Sequence, residues 1–598
     1  MGLMRLFASL LALLALLTVF SCTRTPEFTM PKGKVLHVVL EDNVKGLDPV
    51  STYDIIGGEI LLQTYEVPYQ YDYFSETPHV IPMLADGMPQ LSKDALTYTL
   101  KIKKGIRFQD DPCFKETSGK GRELKAADFI YSWKRQANVA NEAQGFWIFD
   151  GKIVGINDFQ KKFGQGKPAE EVMKENVEGF KTLDDHTIQI KLTKPYPQLT
   201  YALATSFGAP VPEEAVRFYG KDFERHPVGT GPFKVQSYDA GFKVVVVKNE
   251  NFRDEFFPTA DQMAPKYREA AKAYAGKRLP LVDAIEFNVI KEEQPRWLGF
   301  LAGKYDEVKI PKDNFNSAIE HKTRVKAELA NKGISVSIEP ALSYWYVSIN
   351  MQDKLLGQNK YLRQAIASAI DRDAWLEMFK NGRGSSQNEV NPPILKERCG
   401  KPYRWNRDVK RAKELLAKAG YPDGKGLPVI KWDTRRTEMS ERQLAELIEK
   451  NLAEIGVHLE IINNTFPAYL DKSHKGNLQL SKGGFVMDYP DPENNFQMLF
   501  GPNKAPGPNE ANFDNAEFNK LYEQTAVMAP SAERTRLICK MEDVLQDEVP
   551  WAYGIFEDEY RLVHKWLKNY HTSELIYTKY KYVDLDLGDQ QLTASRSR

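Results

Sequence analysis

Between residues 408 and 462 the sequence switches period three times, and this constrains the fold more than any other feature. Val409 to Ala419 has helical spacing and stops at Gly420, with Pro422 behind it. A short apolar run, Pro428 to Trp432, follows. Leu444, Leu447, Ile448, Leu452 and Ile455 then fall on one helical face, and Gly456 supplies the stop. Val457, Leu459 and Ile461 alternate with His458 and Glu460, the period of a half-buried strand. Helix, strand, helix, strand in that order suggests a parallel crossover unit, hence a mixed α/β protein.

Other segments agree. Leu96, Tyr98, Leu100 and Ile102 alternate with Thr97, Thr99 and Lys101, and Ile188, Ile190 and Leu192 alternate with Gln189 and Lys191. Val244 to Val247 is apolar on both faces, as a covered strand is. Residues 361–380 read as two short helices broken near Asp371-Arg372-Asp373, while 115–123, 161–178 and the basic segment 262–278 read as surface insertions. With 598 residues and no internal repeat, several domain-sized units are expected.

The N-terminus is different in kind. Arg5 is the only charge before an apolar run from Leu10 to Phe20, too short to span a bilayer comfortably but suited to a signal peptide over residues 1–21. Val19-Phe20-Ser21-Cys22 resembles a bacterial lipobox, which implies that Cys22 becomes a lipid-bearing mature N-terminus. Phe20 is bulkier than the usual residue there, so conventional cleavage nearby is the alternative. Residues 22–34 then form a tether, and the folded part is expected outside the cytoplasm, held in the cell envelope by lipid alone. Lys+Arg and Asp+Glu both total 81, so nucleic acid is not an expected partner. Cys113 and Cys399 sit in Pro/Gly-rich loops and form the expected disulfide, whereas Cys539 lies in a helical stretch and is expected to be a buried thiol.

Catalytic arrangements are missing from the sequence. It contains no H-E-x-x-H and no G-x-S-x-G. Gly229-Thr230-Gly231-Pro232 looks like half of a nucleotide loop but lacks the following Lys-Ser/Thr, and Pro232 removes a backbone donor. Neither metal nor cofactor is expected. Carboxylate pairs abound among 81 acids, so counting alone leaves a glycosidase open, with nothing in its favour.

Several segments, in order, resemble the family 5 extracellular solute-binding proteins, the dipeptide and oligopeptide receptors of ABC importers. They are Leu47-Asp48-Pro49, Leu84-Ala85-Asp86-Gly87, Leu96 to Leu100, Lys104 to Phe108 and Lys125 to Ser132. Gly229 to Phe233, Arg363 to Ile366, Ala369 to Arg372, Ala412 to Pro422 and Asp488 to Pro492 continue the match. A longer insertion containing Cys113 replaces a short family loop. The resemblance implies a type II periplasmic-binding-protein-like fold (cluster C), two-lobed, with an extra subdomain and a hinge. Lobe one is expected at 35–60, 190–290 and 556–598, the accessory subdomain at 61–189, and lobe two at 291–555. It further implies a non-enzymatic monomer that passes short peptides to a membrane permease. Family members also bind nickel complexes, opines, sugars and glutathione; an extracytoplasmic hydrolase is the alternative from another class.

A peptide receptor indifferent to side chains holds the termini by charge and the middle by strand-like pairing. Asp488 matches the family aspartate that receives the α-ammonium, and by itself it reads equally as a cap of the Tyr489-Pro490-Asp491-Pro492 turn. Gly484, Phe485 and Val486 match the segment that pairs with the peptide, where glycine permits close approach. Lys482 matches a basic position facing the ligand carboxylate, and Tyr53 and Ile55 match the opposite wall. Tyr489, Tyr346 and Trp432 are expected to line side-chain pockets.

Overall fold

The computed structural model describes residues 33–588. The expected signal peptide over residues 1–21 and Cys22 lie outside this range. Among the described residues no helix is long and apolar enough to cross a membrane.

The fold is a two-lobed α/β arrangement of the expected kind. One lobe is built on a four-stranded sheet in which Val35–Leu40 pairs in parallel with Ala284–Val289. Lys243–Lys248 and then Phe233–Asp239 extend it in antiparallel fashion. Val244, Val245 and Val246 are buried, which explains why this strand is apolar on both faces. The glycines of Gly229-Thr230-Gly231 let the chain pass against the end of helix Ile55–Thr64. A Cβ on Gly229 would stand 2.0 Å from the Thr64 carbonyl oxygen.

A separate antiparallel sheet contains Thr97–Lys101, Thr187–Lys191 and Phe180–Asp184, with Tyr98, Leu100, Ile188 and Ile190 turned inward. Helix Ala126–Gln136 packs on it, burying Trp133.

The other lobe is built on a seven-stranded sheet. Its crossover is as the periodicity implies: Ile430–Asp433 pairs in parallel with Leu459–Ile462, joined through helix Met439–Ala453. Gly456 sits at φ +86°, the left-handed conformation that glycine adopts at a helix stop. The helical break at 371 also has a local cause. Asp371 accepts the backbone N–H of Ala374 at 2.9 Å and so starts helix Arg372–Lys380.

Two long antiparallel strands, Ile334–Ile349 and Trp551–His564, run the length of this sheet. Leu342 to Ile349 and Trp551 to Phe556 lie in the larger core of this lobe, whereas Ile334, Tyr560 and Leu562 join a smaller cluster toward the first lobe. A register shift between Pro340 and Tyr344 bends the ribbon midway. Beyond it the chain returns to the first lobe. There Gln63 Nε2 donates to the Tyr577 carbonyl at 2.6 Å, and Lys579 pairs with Glu59 at 3.0 Å.

The expected Cys113–Cys399 bridge is corrected. Cys399 pairs with Cys539, tying a loop of the second lobe to helix Ala532–Glu548, and Cys113 is a buried free thiol among residues of the other lobe. Loop character was the wrong guide, since a helical cysteine facing a loop meets the distance requirement equally well.

Candidate functional site

A cavity of about 710 Å³ opens between the lobes. Tyr53, Ile55, Trp147 and Phe207 line one side, and Val486, Met487 and Asp488 the other. Glu559, Arg561, Glu574 and Tyr577, from the returning chain, complete it. An adjoining chamber of about 520 Å³ shares Glu41 and Lys309 with it and is lined by Trp345, Lys380, Arg383, Glu441, Lys482 and Glu557.

Asp488 is at the seam. Its Oδ1 accepts the Tyr53 hydroxyl of the opposite lobe at 2.7 Å, and its Oδ2 accepts Asn494 Nδ2 at 3.0 Å. The turn is capped by a different acid: Asp491 accepts the Glu493 backbone N–H at 2.9 Å and is clasped by Arg534 at 2.5 and 3.0 Å. Among the described residues Asp488 accepts no backbone N–H of the turn, and Asp491 provides the cap instead. Burial raises its pKa above the ordinary carboxylate value, and among the described residues no cationic side chain pairs with it. Tyr71, 5% exposed, lines the same cavity with a hydroxyl that has no hydrogen-bond partner among the described residues. A half-buried carboxylate without a counter-ion beside an unpartnered hydroxyl can receive a cationic donor group.

The walls come from local structure. Asp54 caps helix Ile55–Thr64 by accepting the Gly57 N–H at 2.8 Å, which projects Tyr53 and Ile55 into the seam at 55% and 52% exposure. Tyr53 stacks on Phe207 at 5.8 Å. Val486, 41% exposed, ends strand Leu480–Val486 at the cavity.

Other expected positions lie elsewhere. Gly484 faces Trp345 across the sheet, and a Cβ there would stand 2.2 Å from the indole ring, so the neighbouring strand and not a ligand demands this glycine. Phe485 packs edge-on against Tyr344 in its own lobe. Lys482 belongs to the adjoining chamber, paired with Glu441 and 4.7 Å above the Trp345 ring. Trp432, 1% exposed, and Tyr346, stacked on Trp551 at 3.7 Å, are core residues lining neither space. Tyr489 is buried between Trp147 and Tyr201 of the opposite side, at 6.0 and 6.3 Å, with its hydroxyl donated to Glu493. It joins the halves and does not line the cavity.

Sequence reading missed the floor. Arg561 pairs with Glu307 at 2.7 Å and Glu559 at 3.1 Å, and Lys309 pairs with Glu559 at 3.2 Å. Although burial opposes it, Lys579, with Arg561 nearby, holds the Glu59 carboxyl below its usual range. Charges at 557, 559 and 561 in strand Trp551–His564 were the available signal: three same-face positions that a core does not bury without partners.

The sequence profile described as "Bacterial extracellular solute-binding proteins, family 5 Middle" matches residues 79–507. The dipeptide-binding protein of Escherichia coli K12 is 26% identical over 501 residues, covering 83% of this chain and 84% of that protein. Haem-binding protein A of Haemophilus influenzae is also 26% identical, over 79% and 78% of the two chains. The Helicobacter pylori periplasmic binding protein DppA, solved with the peptide STSA, superposes with a TM-score of 0.69 at 21% identity, over 93% of this chain and 99% of that one. HbpA2 of Haemophilus parasuis superposes at 0.72 and 20% identity, over 92% and 100%. Since the profile spans most of the chain and the two-lobed fold agrees, this protein belongs to the bacterial extracellular solute-binding proteins of family 5.

Proposed function

We propose that the protein captures short peptides between its lobes and hands them to an ABC-type permease, anchored to the envelope by a lipid on Cys22. In this reading it works as a monomer, and residues 35–60, 190–290 and 556–598 form one lobe, 61–189 the accessory subdomain and 291–555 the other lobe. The long ribbon of Ile334–Ile349 and Trp551–His564 acts as a hinge, and closure brings the two walls together. The carrying observation is Asp488: a half-buried carboxylate facing an interlobe cavity, met by a hydroxyl from across the seam and, among the described residues, by no cation. A peptide α-ammonium supplies the missing charge. Relatives named as dipeptide- and oligopeptide-binding proteins support the ligand class.

The test is calorimetric titration of the purified protein with a tripeptide and its N-acetylated form. Binding of the free amine and loss of at least about a hundred-fold on acetylation is the expected result, from the cost of removing one member of an enclosed charge pair. Equal affinity for both forms would remove the ammonium from the site.

A further inference from the structure

The charges of the interlobe cavity do not cancel. Seven carboxylates line it, against three cations, Lys309, Arg561 and Lys579. Each of those cations is committed: Lys309 to Glu559, Arg561 to Glu307 and Glu559, and Lys579 to Glu59. Asp42 and Glu41 look outward to Lys291 and Arg296 at 3.6 and 3.9 Å, and Asp54 caps its own helix. Among the described residues Asp488 and Glu574 are left with neither a cation nor a helix to cap.

Glu574 is half-buried. Its Oε2 accepts the Leu342 backbone N–H at 2.7 Å, and among the described residues its other oxygen has no donor. Burial, reinforced by the nearby Glu559 and Glu557 and only partly relieved by Lys309, pushes this carboxyl up to about 7. Tyr577 lines the same cavity as both acids, and burial together with the charges of Glu59, Glu574, Asp488 and Asp54 raises its hydroxyl pKa. The partnerless hydroxyl of Tyr71 lines the same space and adds a buried acceptor beside Asp488.

One α-ammonium satisfies Asp488 and leaves Glu574 uncompensated. A ligand that fills the cavity without a second positive charge strips water from that carboxylate and gives nothing back. We propose that Glu574 is a specificity residue that receives a cationic side chain, so that the preferred ligands are short peptides with Lys or Arg among their first two residues. This inference rests on the peptide reading above and names the substrate class within it.

The experiment compares tripeptides that differ only in charge: Lys-Ala-Ala and Ala-Lys-Ala against the same peptides with norleucine, which keeps the chain and drops the ammonium. Calorimetry on the wild-type protein is expected to favour one lysine peptide over its norleucine partner by at least about tenfold, the value of a hydrogen-bonded charge. Glu574→Gln, which keeps an acceptor for the Leu342 N–H, is expected to cut that preference to less than about threefold while norleucine peptides bind as before. Equal wild-type affinities, or a preference that survives Glu574→Gln, overturn the role of Glu574 and leave peptide capture standing. If no peptide of either series binds, peptide capture itself falls, and this inference with it. The wild-type comparison decides the matter even if the variant does not fold.

Discussion

Asp488→Asn is the most searching perturbation of the site. It keeps the shape and one of the two neighbours: the amide oxygen can still accept the Tyr53 hydroxyl that lies 2.7 Å from Asp488 Oδ1, while the amide NH2 replaces the acceptor of Asn494 Nδ2. The negative charge is lost, together with one hydrogen bond from a neutral donor that the N-acetyl control cancels. In the ligand-free protein the change is mild or even favourable, since burial already disfavours the charged form of Asp488. In the complex an enclosed ammonium loses its counter-charge, which costs about 3–5 kcal/mol, roughly a hundred-fold to several thousand-fold in affinity. The stronger readout is a cycle between protein and ligand, with each protein titrated against a tripeptide and its N-acetyl derivative. If the carboxylate and the ammonium meet, acetylation is costly to the wild type and nearly free to Asp488→Asn, so the coupling approaches the full single-change loss. Additive losses, with acetylation equally damaging in both proteins, would refute the pairing.

Four further outcomes are expected. Tyr53→Phe removes the hydroxyl that bridges the lobes to Asp488 and should increase the radius of gyration of the ligand-free protein by small-angle scattering, with little change when ligand is bound. Cys399→Ser opens a link between residues 140 apart and should lower stability by about 2–4 kcal/mol in denaturant titrations, whereas Cys113→Ser should not. Gly483→Ala places a Cβ 2.1 Å from the Tyr346 ring and should cost about 1–3 kcal/mol by the same assay. Burial raises Glu542 to about 7 from an ordinary 4.5, so between these pH values the folded protein holds a proton that the unfolded chain releases. This contribution to stability is therefore complete below pH 4.5 and lost as pH rises through 7, and Glu542→Gln should flatten the pH dependence of the unfolding free energy in urea titrations by at most about 1.4 kcal/mol per unit.

The fold was legible wherever one periodicity served one burial pattern. The crossover at 430–462, the covered valines at 244–246 and the cap at Asp371 each follow from local chemistry, and each is where the sequence places it. The disulfide was not legible, because cysteine pairing depends on which surfaces meet and not on the character of the flanking residues. Within the site, Tyr53, Ile55, Val486 and Asp488 converge on one cavity from positions about 430 residues apart, which no local pattern encodes and only the family match suggested.

The expected positions that lie outside the cavity share a physical origin. Gly484 matches a family segment that pairs with the peptide, and Tyr346 and Trp432 are aromatic positions expected to line pockets, yet none of the three lines the cavity. A sheet that packs Trp345 and Tyr346 against its neighbouring strand needs the same glycines. Residue type at a strand position reports that something approaches closely, and not whether it belongs to the protein. Charge distinguishes the two cases better, because an ion buried for structural reasons must find its partner within the fold. Glu307, Glu559 and Glu59 do so through Arg561, Lys309 and Lys579, and are explained by stability alone. Among the described residues Asp488 and Glu574 have no cation, so each either stays neutral, as burial favours, or is compensated by a ligand, as proposed above. The balance of charge across the cavity therefore points to a cationic ligand more directly than the shape of its walls does.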